Sequence, residues 1–145
     1  MTTSSPSQLL LVDSDADDRR SLSNLLSAGG FKVTTAVDYE AAVKSLESAS
    51  FDLAVVATRL SKGPSGFVAL RAIKAKGTAF VVVLLPENNH DEAVSAFRLG
   101  AGDVLVKPPR GPELLGVLRR GVGAEVLVGT SEPVNASGTT EGVGE

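Results

Sequence analysis

Three short unbroken apolar runs stand out along the chain: Leu9–Val12 (LLLV), Leu53–Ala57 (LAVVA) and Phe80–Leu85 (FVVVLL). Runs of this length suit strands that are buried on both faces of a parallel sheet. Phe31–Val37 (FKVTTAV) instead alternates apolar with polar residues, as an edge strand does. Asp103–Lys107 (DVLVK) makes a fifth strand, stopped by Pro108 and Pro109, which cannot donate ladder hydrogen bonds. Apolar stripes at helical spacing fill the intervals: Leu22, Leu25, Leu26 and Gly29; Ala42, Leu46 and Ala49; Phe67, Leu70 and Ile73; Ala93, Phe97 and Ala101; Leu114, Leu115 and Leu118. Asp17 and Asp18 fall near the positive N-terminal end of the first helix. Gly100 is placed to end the fourth helix, and Pro112 to open the fifth.

Five βα units in about 120 residues predict an α/β fold, a doubly wound five-stranded parallel sheet with helices on both faces. The polar second strand favours the flavodoxin-like (βα)5 order 2-1-3-4-5, with that strand at the edge. The expected folded unit is residues 8–122. Residues 1–7 are expected to form a disordered N-terminal segment. Residues 123–145, rich in Gly, Ser and Thr, are expected to form a flexible tail or a linker to a further domain.

Composition narrows the function classes. The formal net charge is -3 and aromatic residues make up 4% with no Trp, so neither a basic nucleic-acid surface nor a base-stacking platform is expected. There is no cysteine, which removes disulfides, thiolate metal sites and cysteine nucleophiles. No secretory signal and no apolar run of membrane-spanning length is visible, and a cytoplasmic location is expected.

In such a fold the chemistry sits where strands one, three, four and five end. The sequence brings Asp13, Ser14 and Asp15 to the first exit and Ala57, Thr58 and Arg59 to the third. Leu85 and Pro86 come to the fourth, and Lys107 and Pro108 to the fifth. Two acids and one lysine converge there, as in an acidic, cation-binding pocket.

LLLVDSD, FDLAVVA, LSKGPSG and RLGAGDVLVKPP, in this order and spacing, resemble the receiver domain of two-component response regulators. The resemblance runs over roughly residues 8–122. It implies two acids after strand one that help hold Mg²⁺, an aspartate ending strand three that accepts phosphate, and a Thr or Ser ending strand four that binds it. It further implies an aromatic in strand five that reports the phosphate and a lysine after strand five that pairs with it. Carried onto this chain, the first acid is Asp13 and the lysine is Lys107. The second acid falls on Ser14, the phosphoacceptor on Ala57, the hydroxyl on Leu85 and the signal-relay aromatic on Val104.

A methyl group has no lone pair with which to form an acyl phosphate. Mg²⁺ calls for one or two carboxylates beside phosphate oxygens, so no cofactor is expected; Asp13 and Asp15 are the weak candidates for a metal. Asp52 cannot replace the acceptor, because it opens the same strand roughly 16 Å from its end. Simpler roles are also open. Asp13 and Lys107 can form an ion pair in a non-catalytic cleft, Asp15 can cap the first helix, and Arg59 can approach Asp13 or stay in solvent. SKGPSG lacks the Gly-Lys-Ser/Thr ending of a P-loop and is expected to be a βα loop. His90, the only histidine, has no visible metal or catalytic partner.

The sequence therefore points to a degenerate, pseudo-receiver signalling module, not an enzyme, that acts through protein–protein contact. The resemblance implies a partner protein or a second copy on the face of helix four, strand five and helix five, rimmed by Arg98, Arg119, Arg120, Glu92 and Glu113. Two alternatives remain at this stage: a ligand- or Mg²⁺-sensing receiver with residual pocket function, and a structural domain positioning a C-terminal effector.

Overall fold

The computed structural model describes residues 7–126. Five strands, β1 (Gln8–Val12), β2 (Lys32–Ala36), β3 (Leu53–Ala57), β4 (Phe80–Leu85) and β5 (Asp103–Val106), form one sheet in the order β2-β1-β3-β4-β5. Every adjacent pair is parallel. The helices are α1 (Ala16–Ala28), α2 (Tyr39–Ser48), α3 (Gly66–Lys76), α4 (His90–Arg98) and α5 (Gly111–Val126).

The unbroken apolar runs have a direct cause. β1, β3 and β4 are central, and alternate side chains enter two separate cores. Leu10, Val12, Ala54, Val56, Val81 and Val83 pack with α2, α3 and α4. Leu9, Leu11, Leu53, Val55, Val82 and Leu84 pack with Leu22 and Leu26 of α1 and Leu114, Val117 and Leu118 of α5. Each fully buried Leu or Val contributes about 1.5–3 kcal/mol relative to exposure, which holds the strands in register. The order reverses between β1 and β3, so a crevice opens at their carboxyl ends.

Local signals fix the helix ends. Asp15, Asp38 and Asn89 are the N-caps of α1, α2 and α4, each accepting a backbone N–H three residues on. Gly100 follows the end of α4 with φ +106, a left-handed conformation that favours glycine.

Several boundaries and stripes differ from the sequence reading. α5 continues to Val126, four residues beyond the expected domain limit. In α2, Ala49 is an exposed cap rather than part of the buried stripe. In α4 it is Ala96 that is fully buried, while Phe97 is 50% exposed. Ala and Phe at adjacent positions lie about 100° apart around a helix, and the close approach of α4 to the sheet accommodates the smaller one. Expectations for residues 1–6 and 127–145 lie outside the described residues. Among the described residues no helix is long and apolar enough to cross a membrane.

Candidate functional site

The carboxyl ends of β1, β3, β4 and β5 border an open cleft of about 750 Å³ lined by Asp13, Ser14, Asp15, Asp18, Arg59, Leu60, Ser61, Pro86, Lys107 and Pro108. Asp13 is the first residue past β1. Its backbone N–H donates to Ala36 O, continuing the β1–β2 ladder, and its side chain is only 1% exposed. Both carboxylate oxygens are engaged. Oδ1 accepts the backbone N–H of Asp15 at 3.0 Å, and Oδ2 lies 2.8 Å from Lys107 Nζ.

Lys107 is carried in by the β4–β5 ladder, its N–H donating to Leu85 O, and the peptide bond to Pro108 is cis. Its ammonium has two anionic neighbours, and they are not equivalent. Toward Asp18 Oδ2 it donates an aligned hydrogen bond of 2.9 Å. Toward Asp13 Oδ2 the approach is as short, 2.8 Å, but at a poorer hydrogen-bond angle, and that buried oxygen has no other donor among the described residues. Burial works to lower the Lys107 pKa; the hydrogen bonds and charges of Asp13 and Asp18 outweigh it and raise the pKa above the ordinary 10.5.

The two loops that flank the cleft are joined directly. Ser14 Oγ, after β1, accepts the backbone N–H of Ser61, after β3, at 2.9 Å. Asp15 accepts the N–H of Asp18 at 2.8 Å and so caps α1. Arg19 Nη1 donates to the carbonyl of Asp13 at 3.0 Å, fixing the β1 exit from the helix side.

Of the positions selected from sequence, Asp13, Ser14, Asp15 and Lys107 share this cleft. Ala57 and Leu85 end β3 and β4 nearby but are buried at 2% and 1% exposure, and neither carries a polar side-chain atom. Ala57 pairs in register with Leu84, and Leu85 with Val106. Ala57 also fits closely under α3: Gly66 packs against its carbonyl so tightly that a Cβ at position 66 would overlap it. Val104 is partly buried and packs against the α2–α3–α4 core.

Arg59 does not neutralise Asp13; its guanidinium turns to α4, with Nη2 4.0 Å from Glu92 Oε2. His90 is the exposed first residue of α4. Among the described residues no group of three or more His, Cys, Asp or Glu is arranged to hold a metal ion.

Two features escaped the sequence. Asp18 was read only as an acid at the helix N-terminus, yet it is the hydrogen-bond acceptor for Lys107; its place in the first turn of the helix leaving the acidic exit was the available signal. Thr58 is buried with no hydrogen-bond partner for Oγ1 among the described residues, which no local pattern announces.

The profile of the response regulator receiver domain matches residues 9–119. The transcriptional regulatory protein FixJ of Bradyrhizobium diazoefficiens is 35% identical over 103 residues, covering 69% of this chain and 49% of FixJ. The transcriptional regulatory protein AfsQ1 of Streptomyces coelicolor is 34% identical over 120 residues, covering 80% of this chain and 52% of AfsQ1. The chain thus spans about half the length of the curated relatives it matches. Among solved structures, a response regulator receiver domain protein from Clostridium thermocellum matches with a TM-score of 0.77 over 84% of this chain and 98% of that one; at 23% identity it speaks for the fold. NtrX from Brucella abortus matches at 28% identity with a TM-score of 0.79, over 85% of this chain and 28% of NtrX. With the profile covering most of the described residues, and relatives matching across the same span, the chain belongs to the response regulator receiver domain family.

Proposed function

We propose that this two-component receiver domain is a pseudo-receiver, which signals through protein contact without accepting phosphate on aspartate. The observation that carries the reading is Ala57, a buried methyl at the end of β3 where the family resemblance expects the acceptor carboxylate. A methyl group offers no nucleophile. Leu85 offers no hydrogen bond to a phosphoryl oxygen, and Val104 cannot make the rotamer change of a large aromatic.

The donor set is also a poor fit for Mg²⁺. Asp13 already balances Lys107, and Ser14 is a neutral hydroxyl whose oxygen accepts the Ser61 N–H. Mg²⁺ favours carboxylate oxygens and water in near-octahedral array, and here one carboxylate would have to leave an ammonium to serve it. The Ser14–Ser61 hydrogen bond and the Asp13–Lys107–Asp18 cluster instead hold the loops in one arrangement.

The contact surface we propose is the α4–β5–α5 face, with Phe97 and Val106, 50% and 39% exposed, as its apolar centre. Arg98, Arg120 and Glu113 are exposed and fit its rim. Arg119 and Glu92 fit it less well than the sequence suggested, because Arg119 donates to Gly29 O at the end of α1 and Glu92 faces Arg59. The partner is another protein or a second copy, rather than nucleic acid, given the net charge of -3. The greater length of the matched relatives favours a second reading, a domain that positions an effector; deleting it then impairs assembly and leaves signal response intact.

The phosphoryl reading is tested by incubating the protein with Mg²⁺ and acetyl phosphate and measuring intact mass. No acid-stable or acid-labile phosphoryl adduct is expected, whereas a stoichiometric adduct on an aspartate overturns the proposal. For the face, Phe97→Ser and Arg98→Glu are expected to weaken partner capture or self-association; unchanged association with both variants counts against it.

A further inference from the structure

We infer that Asp18 sets what the cleft accepts: its carboxylate serves Lys107 as an internal anion and thereby excludes external oxyanions. The inference deepens the pseudo-receiver reading and rests on it, since it explains how the cleft is kept closed to phosphate after the acceptor side chain has been lost.

Two cationic side chains line the cleft, Arg59 and Lys107. The Arg59 side chain is 64% exposed and leans toward Glu92, so the positive charge held inside is that of Lys107, only 17% exposed. Asp13 meets that ammonium from the buried side at 2.8 Å, at a poorer hydrogen-bond angle. The aligned, charge-assisted bond goes to Asp18, and bonds of this kind are about twice as strong as neutral ones.

Exposure distinguishes the two acids further. The Asp13 side chain is 1% exposed and that of Asp18 is 47%, so an anion arriving from solvent meets Asp18 first. It would have to displace that carboxylate from Lys107 while suffering its repulsion at close range. Asp18 is held for this role. It is the third residue of α1, where the helix dipole favours an anion, and its own N–H is fixed by the cap bond to Asp15. The contact spans 89 residues of sequence, tying the start of α1 to the exit of β5.

The test uses inorganic phosphate as probe, at constant ionic strength and without Mg²⁺, followed by amide chemical shifts in the wild type, Asp18→Asn and Asp18→Ala. Asn is close to isosteric and Ala removes the side chain, so a defect peculiar to one replacement is exposed by the other. Both variants are expected to bind phosphate saturably, with the largest shifts at Lys107 and Asp13 and a Kd at least about tenfold below that of the wild type. Equal affinity in all three proteins, or no saturable response in either variant, overturns the inference. The acetyl phosphate experiment on the wild type judges the pseudo-receiver reading separately: a phosphoryl adduct there defeats that reading, while an unchanged variant-to-wild-type ratio defeats only the role of Asp18.

Discussion

Replacing Lys107 by Met removes the ammonium and leaves Asp13 as a buried charge. Asp13 is 1% exposed; it would keep the Asp15 N–H on Oδ1 and lose the partner of Oδ2. Breaking a buried ion pair from one side costs about 3–5 kcal/mol. The lower end applies here, because the cleft is open to water on one side and Oδ1 stays bonded. The Asp18 contact adds little to this, since Asp18 is 47% exposed and surface pairs contribute about 0–1 kcal/mol. A loss of about 3 kcal/mol in a domain of this size lowers Tm by about 12 °C. Urea unfolding followed by circular dichroism gives the free energy directly, and thermal scans give the shift. Asp13→Asn in the Lys107→Met background removes the orphaned charge and is expected to recover about 2 kcal/mol of the loss as a coupling term. A Lys107→Met protein within about 0.5 kcal/mol of wild type, or a double variant as unstable as the sum of the singles, refutes the ion-pair account.

Alkaline pH acts on the same contact. The Lys107 pKa is raised in the folded protein, so its contribution is complete below the unfolded value of about 10.4 and fades as pH climbs through the higher folded value. Wild type is therefore expected to lose more stability than Lys107→Met as pH rises above about 10.4 in urea titrations, and parallel losses there contradict the assignment. Gly66→Ala forces a methyl group onto the Ala57 carbonyl, backbone against backbone, and is expected to cost about 1–3 kcal/mol and to shift amide resonances at the β3 exit. A fully wild-type unfolding curve argues against that close approach. Ser14→Ala removes the acceptor for the Ser61 N–H at an exposed site, with an expected cost of about 0.5–1.5 kcal/mol and faster hydrogen exchange at Ser61; unchanged exchange there shows the loops are joined by other means.

The topology was legible because the chain is consistent at every level. LLLV, LAVVA and FVVVLL are apolar without interruption because β1, β3 and β4 are covered on both faces, whereas KVTTA is mixed because β2 has one neighbour. The meeting of Asp13 and Lys107 in one cleft was legible, because each directly follows a strand whose carboxyl end borders it. The site was not legible where the decisive fact is an angle or the meeting of a helix with a strand exit. Position alone makes Asp18 a helix-dipole acid; only the convergence of α1 and the β5 exit makes it the acceptor for Lys107. Position likewise leaves Arg59 a choice of acids, and the placement of α4 resolves it toward Glu92. Phe97 follows the helical period of Ala93 and Ala101, yet a nine-residue helix close to the sheet places Ala96 inward and Phe97 outward.

The most direct measurement of the central claim is an amide NMR titration of the full chain with Mg²⁺, followed by beryllofluoride as a phosphoryl mimic. Resonances of Asp13, Ala57 and Lys107 are expected to stay in place through both additions, as they must if the cleft neither holds the cation nor completes a phosphoryl site. Joint, saturable shifts at those three positions would contradict the account and return the domain to the phosphate-responsive members of its family.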